Sequence, residues 1–257
     1  MLLAIDVGNT NTVFGLFRPG DSPPPEIWRL PSRRDRTDDE WFALLSPLLV
    51  AGGFDSADVG AAVLSSVVPA IGDALIRLVR ERFGVEPLVI SPELDLGIVV
   101  RTDAPHETGT DRIVNCATAF ARFGGPTIVV DLGTATKIEA ITRSGHYIGG
   151  VIAPGLGLSL DALATRAARL YAVELKRPSK VIGPNTVAAV QSGVVEGHLA
   201  MIEGLVERVR AELGNVRHVV LTGGYSHVFA DSDSVFTDFV PTLTLDGLRL
   251  IYQRNGT

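Results

Sequence analysis

Leu2-Leu3-Ala4-Ile5-Asp6-Val7-Gly8-Asn9-Thr10 opens the chain, and Ile128-Val129-Val130-Asp131-Leu132-Gly133-Thr134-Ala135-Thr136 repeats its grammar. In each, an apolar run ends in an aspartate, a glycine and hydroxyl-bearing or amide side chains. A second strand leaves at once, Val13-Phe14-Gly15-Leu16-Phe17 in one copy and Ile138-Glu139-Ala140-Ile141 in the other. Such a turn suits phosphate. Glycine lets the backbone approach closely, exposed N–H groups with Asn and Thr side chains donate to phosphate oxygens, and the aspartate holds a hydrated cation. A single copy reads most simply as an ordinary hairpin, since Gly-Asn is a good two-residue turn. Recurrence of the same order between two strands favours phosphate binding, and two facing copies would clamp one nucleotide.

Composition narrows the field. A chain of 257 residues with 46% hydrophobic content can bury a real core as one large domain or two of ordinary size. With 23 Lys and Arg against 29 Asp and Glu, the net charge of -6 disfavours nucleic acid or an anionic membrane as the main partner. The single cysteine, Cys116, excludes an internal disulfide and a Cys-based metal cluster. Asp6 interrupts the apolar N-terminus after four residues, so no signal peptide is read there, and the apolar stretch Tyr147 to Leu160 is too short and glycine-rich to span a bilayer. A soluble, cytoplasmic protein with no membrane partner is expected.

Periodicity predicts a polar, proline-rich surface loop from Pro19 to Pro31, a helix from about Asp38 to Val50, a buried strand over Gly60 to Val67, a helix over Pro69 to Phe83 and a short strand at Pro87 to Ile90. A helix then opens near Thr108 and stops at Gly124-Gly125. Beyond it come strands around 127–131, 137–142 and 147–152, helices near 156–170 and 185–213, and a strand from Val216 to Thr222. The expected architecture is α/β, two similar halves of 1–124 and 125–257 facing across a cleft, with ligand where strand C-termini meet the glycine turns.

Four further stretches carry chemistry. Thr108-Gly109-Thr110-Asp111-Arg112 stands at a predicted helix start, where Thr108 and Asp111 resemble a capping box. The same aspartate is placed to accept a hydrogen bond from an attacking hydroxyl, with Arg112 available to an anionic substrate, and the two roles are compatible. A carboxylate is a weak base, but phosphoryl transfer passes a loose transition state in which orienting the nucleophile matters most, so aspartate suffices. Gly149-Gly150-Val151-Ile152-Ala153-Pro154-Gly155 suits either close approach to a ligand or tight chain packing. Gly223 and Gly224, after the strand ending in Thr222, offer a turn beneath a nucleotide's base and ribose. Asn185 and Thr186 open a helix and read first as caps. The five histidines have no mutual metal-ligand spacing, and neither a Gly-x-Ser-x-Gly nor a Walker sequence is present.

Taken together, in this order and at these separations, DVGNTNT at the start, GTDR at 109–112, DLGTAT at 131–136, GGVIAPG at 149–155, PNTVAAVQSG at 184–193 and TGG at 222–224 resemble the type III pantothenate kinases, also called the Bvg accessory factor family. The resemblance spans nearly the whole chain. It implies the acetate and sugar kinase, Hsp70 and actin fold, two ribonuclease H-like halves with a nucleotide cleft between them, and transfer of the ATP γ-phosphate to pantothenate in the first step of coenzyme A biosynthesis. It implies that Asp111 is the general base. Asp6, Val7, Gly8, Asn9, Thr10, Asn11, Thr12 and Val13 would bind the ATP phosphates, with magnesium held through water on Asp6, and Thr134 would touch the phosphates from the opposite side. Gly223 and Gly224 complete the ATP-binding set. Asp131 matches a monovalent-cation ligand, for K+ or NH4+. Gly109, Thr110, Asp111, Arg112 and Thr186 match pantothenate-contacting positions, in homodimers whose interface helps wall that pocket.

Departures from the family pattern qualify this reading. Lys137 and Glu139 stand where the second phosphate motif usually continues with Thr and Asp. The Lys137 side chain either supplies charge that a potassium ion otherwise provides or leaves on the alternate face. Upstream of GTDR, Thr102-Asp103-Ala104-Pro105 replaces a common aromatic or apolar residue followed by Asp-Asn-Pro. These changes keep two alternatives open: a kinase of another small hydroxy acid or sugar, and a catalytically weak nucleotide-binding regulatory homologue.

Overall fold

A computed structural model describes residues 1–19, 26–166, 173–232 and 234–256. In chain order the elements are β1 (Leu2–Val7), β2 (Asn11–Phe17), β3 (Glu26–Pro31), α1 (Asp38–Ala51), β4 (Ala61–Ser66), α2 (Pro69–Leu78), β5 (Leu88–Val89), β6 (Val99–Val100), α3 (Thr110–Phe123), β7 (Thr127–Leu132), β8 (Ala135–Ile141), β9 (His146–Pro154), α4 (Leu156–Arg166), α5 (Thr186–Leu213), β10 (His218–Thr222), β11 (Asp238–Phe239) and α6 (Leu243–Asn255). They form two compact units, Met1–Thr118 with Thr242–Thr257, and Ala119–Pro241.

In the first unit the strands run β3-β2-β1-β4-β5; in the second, β9-β8-β7-β10-β11 stand in the same order. Each sheet is an antiparallel meander followed by a parallel strand on the far side of the first. The repeated aspartate motif is thus the visible trace of a repeated sheet.

Alternation explains the layers. In β1, Leu3, Ile5 and Val7 join Trp41, Leu45 and Leu49 of α1 and Ile71, Leu75 and Leu78 of α2 in one core. Ala4 points the other way and packs with Ile113, Val114 and Ala117 of α3 and Leu245, Leu248 and Ile251 of α6. Helix α1 starts on a capping box, Thr37 with Glu40, and α5 starts on Asn185, whose side chain accepts from the Ala188 N–H. In the second unit Ile128, Val130, Leu132 and Ile138 pack on Leu156 of α4 and Val195, Leu199 and Ile202 of α5.

Three differences from the sequence reading stand out. Residues 26–31, expected as loop, are strand β3, paired antiparallel with β2; an exposed edge strand buries too little to show a clear apolar alternation. Residues 20–25 of that stretch lie outside the described residues, as do 167–170 of the helix expected to reach 170. The last 16 residues follow the second sheet in sequence yet belong to the first unit, and the units meet within α3, so their limits differ from 1–124 and 125–257. Helix α6 was not read from the sequence, although Leu245, Leu248 and Ile251 carry its apolar stripe.

Candidate active site

The first unit carries most of the candidate residues, grouped around the C-terminal ends of β1 and β4. Asp6 sits on the α3 side of the sheet and pairs in register with Val13 on one flank and Ser65 on the other. The turn that follows leaves Asn9 and Thr10 exposed, while the Gly8 N–H donates to the Asn11 carbonyl at 3.0 Å. Val7 and Thr12 point to the opposite face and are buried. Of the eight residues expected to meet phosphate here, Asn9 and Thr10 are exposed, and Thr12 serves the frame.

That frame includes a residue absent from the sequence reading. Ser32, just past β3, donates to the Gly8 carbonyl at 2.7 Å and bonds the Thr12 hydroxyl at 2.9 Å, while its N–H reaches the Thr10 carbonyl at 2.9 Å. The turn is therefore held from three points by a serine 24 positions away from Gly8. No local signal marks it, because its role comes from the β2–β3 pairing. Ser32→Ala is expected to cost about 1–2 kcal/mol of stability, through loss of two side-chain bonds near a partly buried turn, and to raise KM for ATP more than it lowers kcat. Thermal denaturation and steady-state kinetics check this; an unchanged KM for ATP contradicts it.

Asp111 lies in the first turn of α3, with its Oδ1 accepting from the Arg112 N–H at 2.8 Å. The Thr108 hydroxyl bonds that of Thr102 at 3.0 Å and donates to the Ala104 carbonyl at 3.4 Å. The helix is anchored by Thr110, which bonds the buried Ser65 hydroxyl at 2.9 Å and the Ser66 carbonyl at 3.3 Å. Ser65 thus connects the two predicted centres: it neighbours Asp6 across the sheet and holds the residue before Asp111. It too went unread. Gly109 is required by the approach of this segment to its own aspartate, since a Cβ there would stand 2.7 Å from Asp111 Oδ1.

The second unit carries the remaining candidates. Asp131 closes β7, with Lys137 opposite it on β8 and Thr222 opposite it on β10. The Lys137 Nζ donates to Asp131 Oδ2 at 2.6 Å, so the side chain turns toward the aspartate rather than away from it. Glu139, two residues on and on the same face, is buried and accepts from the Tyr147 hydroxyl at 2.7 Å. Thr134 at the turn is exposed. Thr136 is buried on the α5 side and bonds His198 Nε2 at 2.7 Å.

Glycines fit the remaining backbone around this turn. At Gly223, with φ of +98°, a Cβ would run into Asp131 Oδ1 and stand 2.5 Å from the Leu132 nitrogen. At Gly155 it would meet the Gly133 carbonyl at 2.6 Å, and at Gly150 the Glu139 Oε2 at 2.6 Å. Chain packing therefore accounts for Gly150 and Gly155, one of the two readings held open above. Gly224 has open space around its Cα. Asn185 caps α5, as expected, and Thr186 beside it is exposed.

Burial holds the His198 imidazole below its usual 6.5, favouring the neutral ring that bonds Thr136. A folded-state value lowered in this way gives stability that is present above 6.5 and lost as pH falls below it toward the lowered value, because the unfolded chain then takes the proton more readily. The melting temperature is expected to fall between neutral and mildly acidic pH, and to fall less in His198→Asn, which cannot titrate there. Parallel pH curves for the two proteins would contradict this.

Two sheets of one strand order, each with an aspartate at a glycine turn, define the class: an α/β protein built on a duplicated sheet. Solved structures agree on the fold. A protein from Sinorhizobium meliloti described as a candidate 2-dehydro-3-deoxygalactonokinase superposes with a TM-score of 0.60 at 13% identity, covering 98% of this chain and 96% of its own. A Baf family protein from Campylobacter jejuni gives 0.57 at 19% identity, over 98% and 97%. The sequence pattern of the type III pantothenate kinases matches residues 2–208. Type III pantothenate kinases from Roseiflexus castenholzii and Moorella thermoacetica are 46% and 44% identical over 255 residues, covering 99% of this chain and 99% and 100% of theirs. The chain belongs to the type III pantothenate kinase family.

Proposed function

We propose that this chain is an ATP-dependent pantothenate kinase, transferring the γ-phosphoryl group of ATP to the primary hydroxyl of pantothenate to give 4'-phosphopantothenate, the first step of coenzyme A biosynthesis. The observation that carries this reading is the link Asp6–Ser65–Thr110–Asp111 within the first unit, which sets a phosphate turn beside a helix-borne carboxylate. The family supplies the substrate.

The donor set fits magnesium-bound ATP: a carboxylate at the end of β1 followed by exposed Asn9 and Thr10 is the hard-oxygen and N–H surface that a hydrated ion and its phosphates require. Asp6 would hold the magnesium through water, and the ion would neutralise charge on the phosphates. Asn9, Thr10 and the turn's N–H groups donate to phosphate oxygens, and the family resemblance gives Thr134 a phosphate-contacting role too. Gly223 and Gly224 lie under the nucleotide. Asp111 accepts the hydrogen bond of the pantothenate hydroxyl, aims its oxygen at the γ-phosphorus and takes the proton as the new P–O bond forms and the bond from the γ-phosphorus to the bridging oxygen breaks, releasing ADP. Gly109, Thr110, Arg112 and Thr186 hold the substrate, Arg112 pairing with its carboxylate.

As the family resemblance implies, we take the protein to be a cytoplasmic homodimer. Ile152, Val181 and Ile182 are exposed on the second unit, apolar surface that a partner copy would cover. No helix among the described residues is long and apolar enough to cross a membrane. The resemblance also implies a monovalent cation at Asp131, considered next. Incubating purified protein with ATP, magnesium and pantothenate, and detecting 4'-phosphopantothenate by mass spectrometry, tests the proposal. Its absence despite measurable ATP binding would refute it.

A further inference from the structure

The donor set at Asp131 does not fit the monovalent cation that the family resemblance implies. One carboxylate oxygen already accepts from the Lys137 ammonium at 2.6 Å, with the two side chains only 14% and 13% exposed. The other lies so close to the Gly223 backbone that a methyl group there would collide with it. A second cation at this carboxylate would be desolvated beside a like charge. The position is set by the hairpin. Lys137 is the residue directly opposite Asp131, whereas Thr136 and Ile138 turn to the α5 side. In the first copy of the hairpin the residue opposite Asp6 is Val13, so the lysine is particular to the second copy.

We infer that the Lys137 ammonium is a tethered replacement for a diffusible cation, and that this chain works without K+ or NH4+. An alkylammonium carries the charge of NH4+ in a compact group with three N–H donors. Held on β8, it stands at the carboxylate whatever the salt, because tethering substitutes a fixed local concentration for a free one. It neutralises Asp131 next to the exposed Thr134, where a phosphate oxygen would otherwise meet an uncompensated carboxylate. The inference rests on the proposed kinase activity for one arm of its test and on geometry alone for the other.

In the activity arm, phosphorylation of pantothenate is measured in sodium, potassium, ammonium and choline chloride. At matched ionic strength the native rates are expected to agree within about twofold. In sodium, Lys137→Thr is expected to lose activity about 10- to 100-fold and to regain most of it when potassium or ammonium is added. In the binding arm, thallium(I), a potassium mimic visible by NMR, is titrated into the ATP-loaded protein. The native chain is expected to show no saturable site, and Lys137→Thr to gain one that potassium displaces. Native activity that rises tenfold or more with potassium, or saturable thallium binding to the native chain, would overturn the inference. Should the native protein fail to phosphorylate pantothenate in every salt, the kinase reading fails while the thallium titration still decides this one. Both native measurements stand even if the variant does not fold.

Discussion

Asp111→Asn is expected to lower turnover by about 10²- to 10⁴-fold, the range for a positioned acid–base group, with little change in melting temperature. The contrast between the two readouts comes from the structure. The Asp111 Oδ1 accepts from the Arg112 N–H, and an asparagine carbonyl oxygen can accept the same bond, so the start of α3 survives. The helix is held in any case by Thr110 on Ser65 and Ser66. What asparagine lacks is the capacity to take a proton and the charge that orients a hydroxyl. ATP binding, measured by calorimetry, is expected to stay near native. Near-native turnover would remove Asp111 from the mechanism; loss of folding would show that its role is structural.

Gly223→Ala is expected to destabilise the protein by about 3 kcal/mol or more, combining a left-handed backbone position with overpacking, and so to lower the melting temperature by several degrees. The φ of +98° is one source of cost. The second is that the new methyl enters the space of Asp131 Oδ1 and the Leu132 backbone, so relief requires β7 and β10 to separate at their paired ends. Gly224→Ala is the control: its Cα is open, and the same substitution is expected to leave the melting temperature close to native. Equal effects at the two positions would mean that the contact with Asp131 carries no weight.

The two hairpins were legible because each is local. An apolar run, an aspartate, a glycine turn and a returning strand lie within about a dozen residues, and alternation within a strand needs no knowledge of what packs on it. Helices α1 and α5 were legible for the same reason, α1 from its local periodicity and α5 from Asn185, which reads as a cap at its start. Strand β3 was obscured by its exposure. Ser32 and Ser65 were invisible: a lone serine has no pattern, and each acquires its role from a strand or helix brought beside it by the sheet.

By itself the sequence determined the duplicated α/β architecture, the two aspartate turns, the place of Asp111 at a helix start and the family. These are properties of short segments and their order, which strand alternation, turn chemistry and capping encode directly. Only the tertiary structure decided that α6 returns to the first unit, that Ser65 links Asp6 to the start of α3, and that Lys137 faces Asp131 instead of solvent. Each depends on pairing between segments far apart in the chain or on hairpin register, where a shift of one residue would send Lys137 to the other face of the sheet.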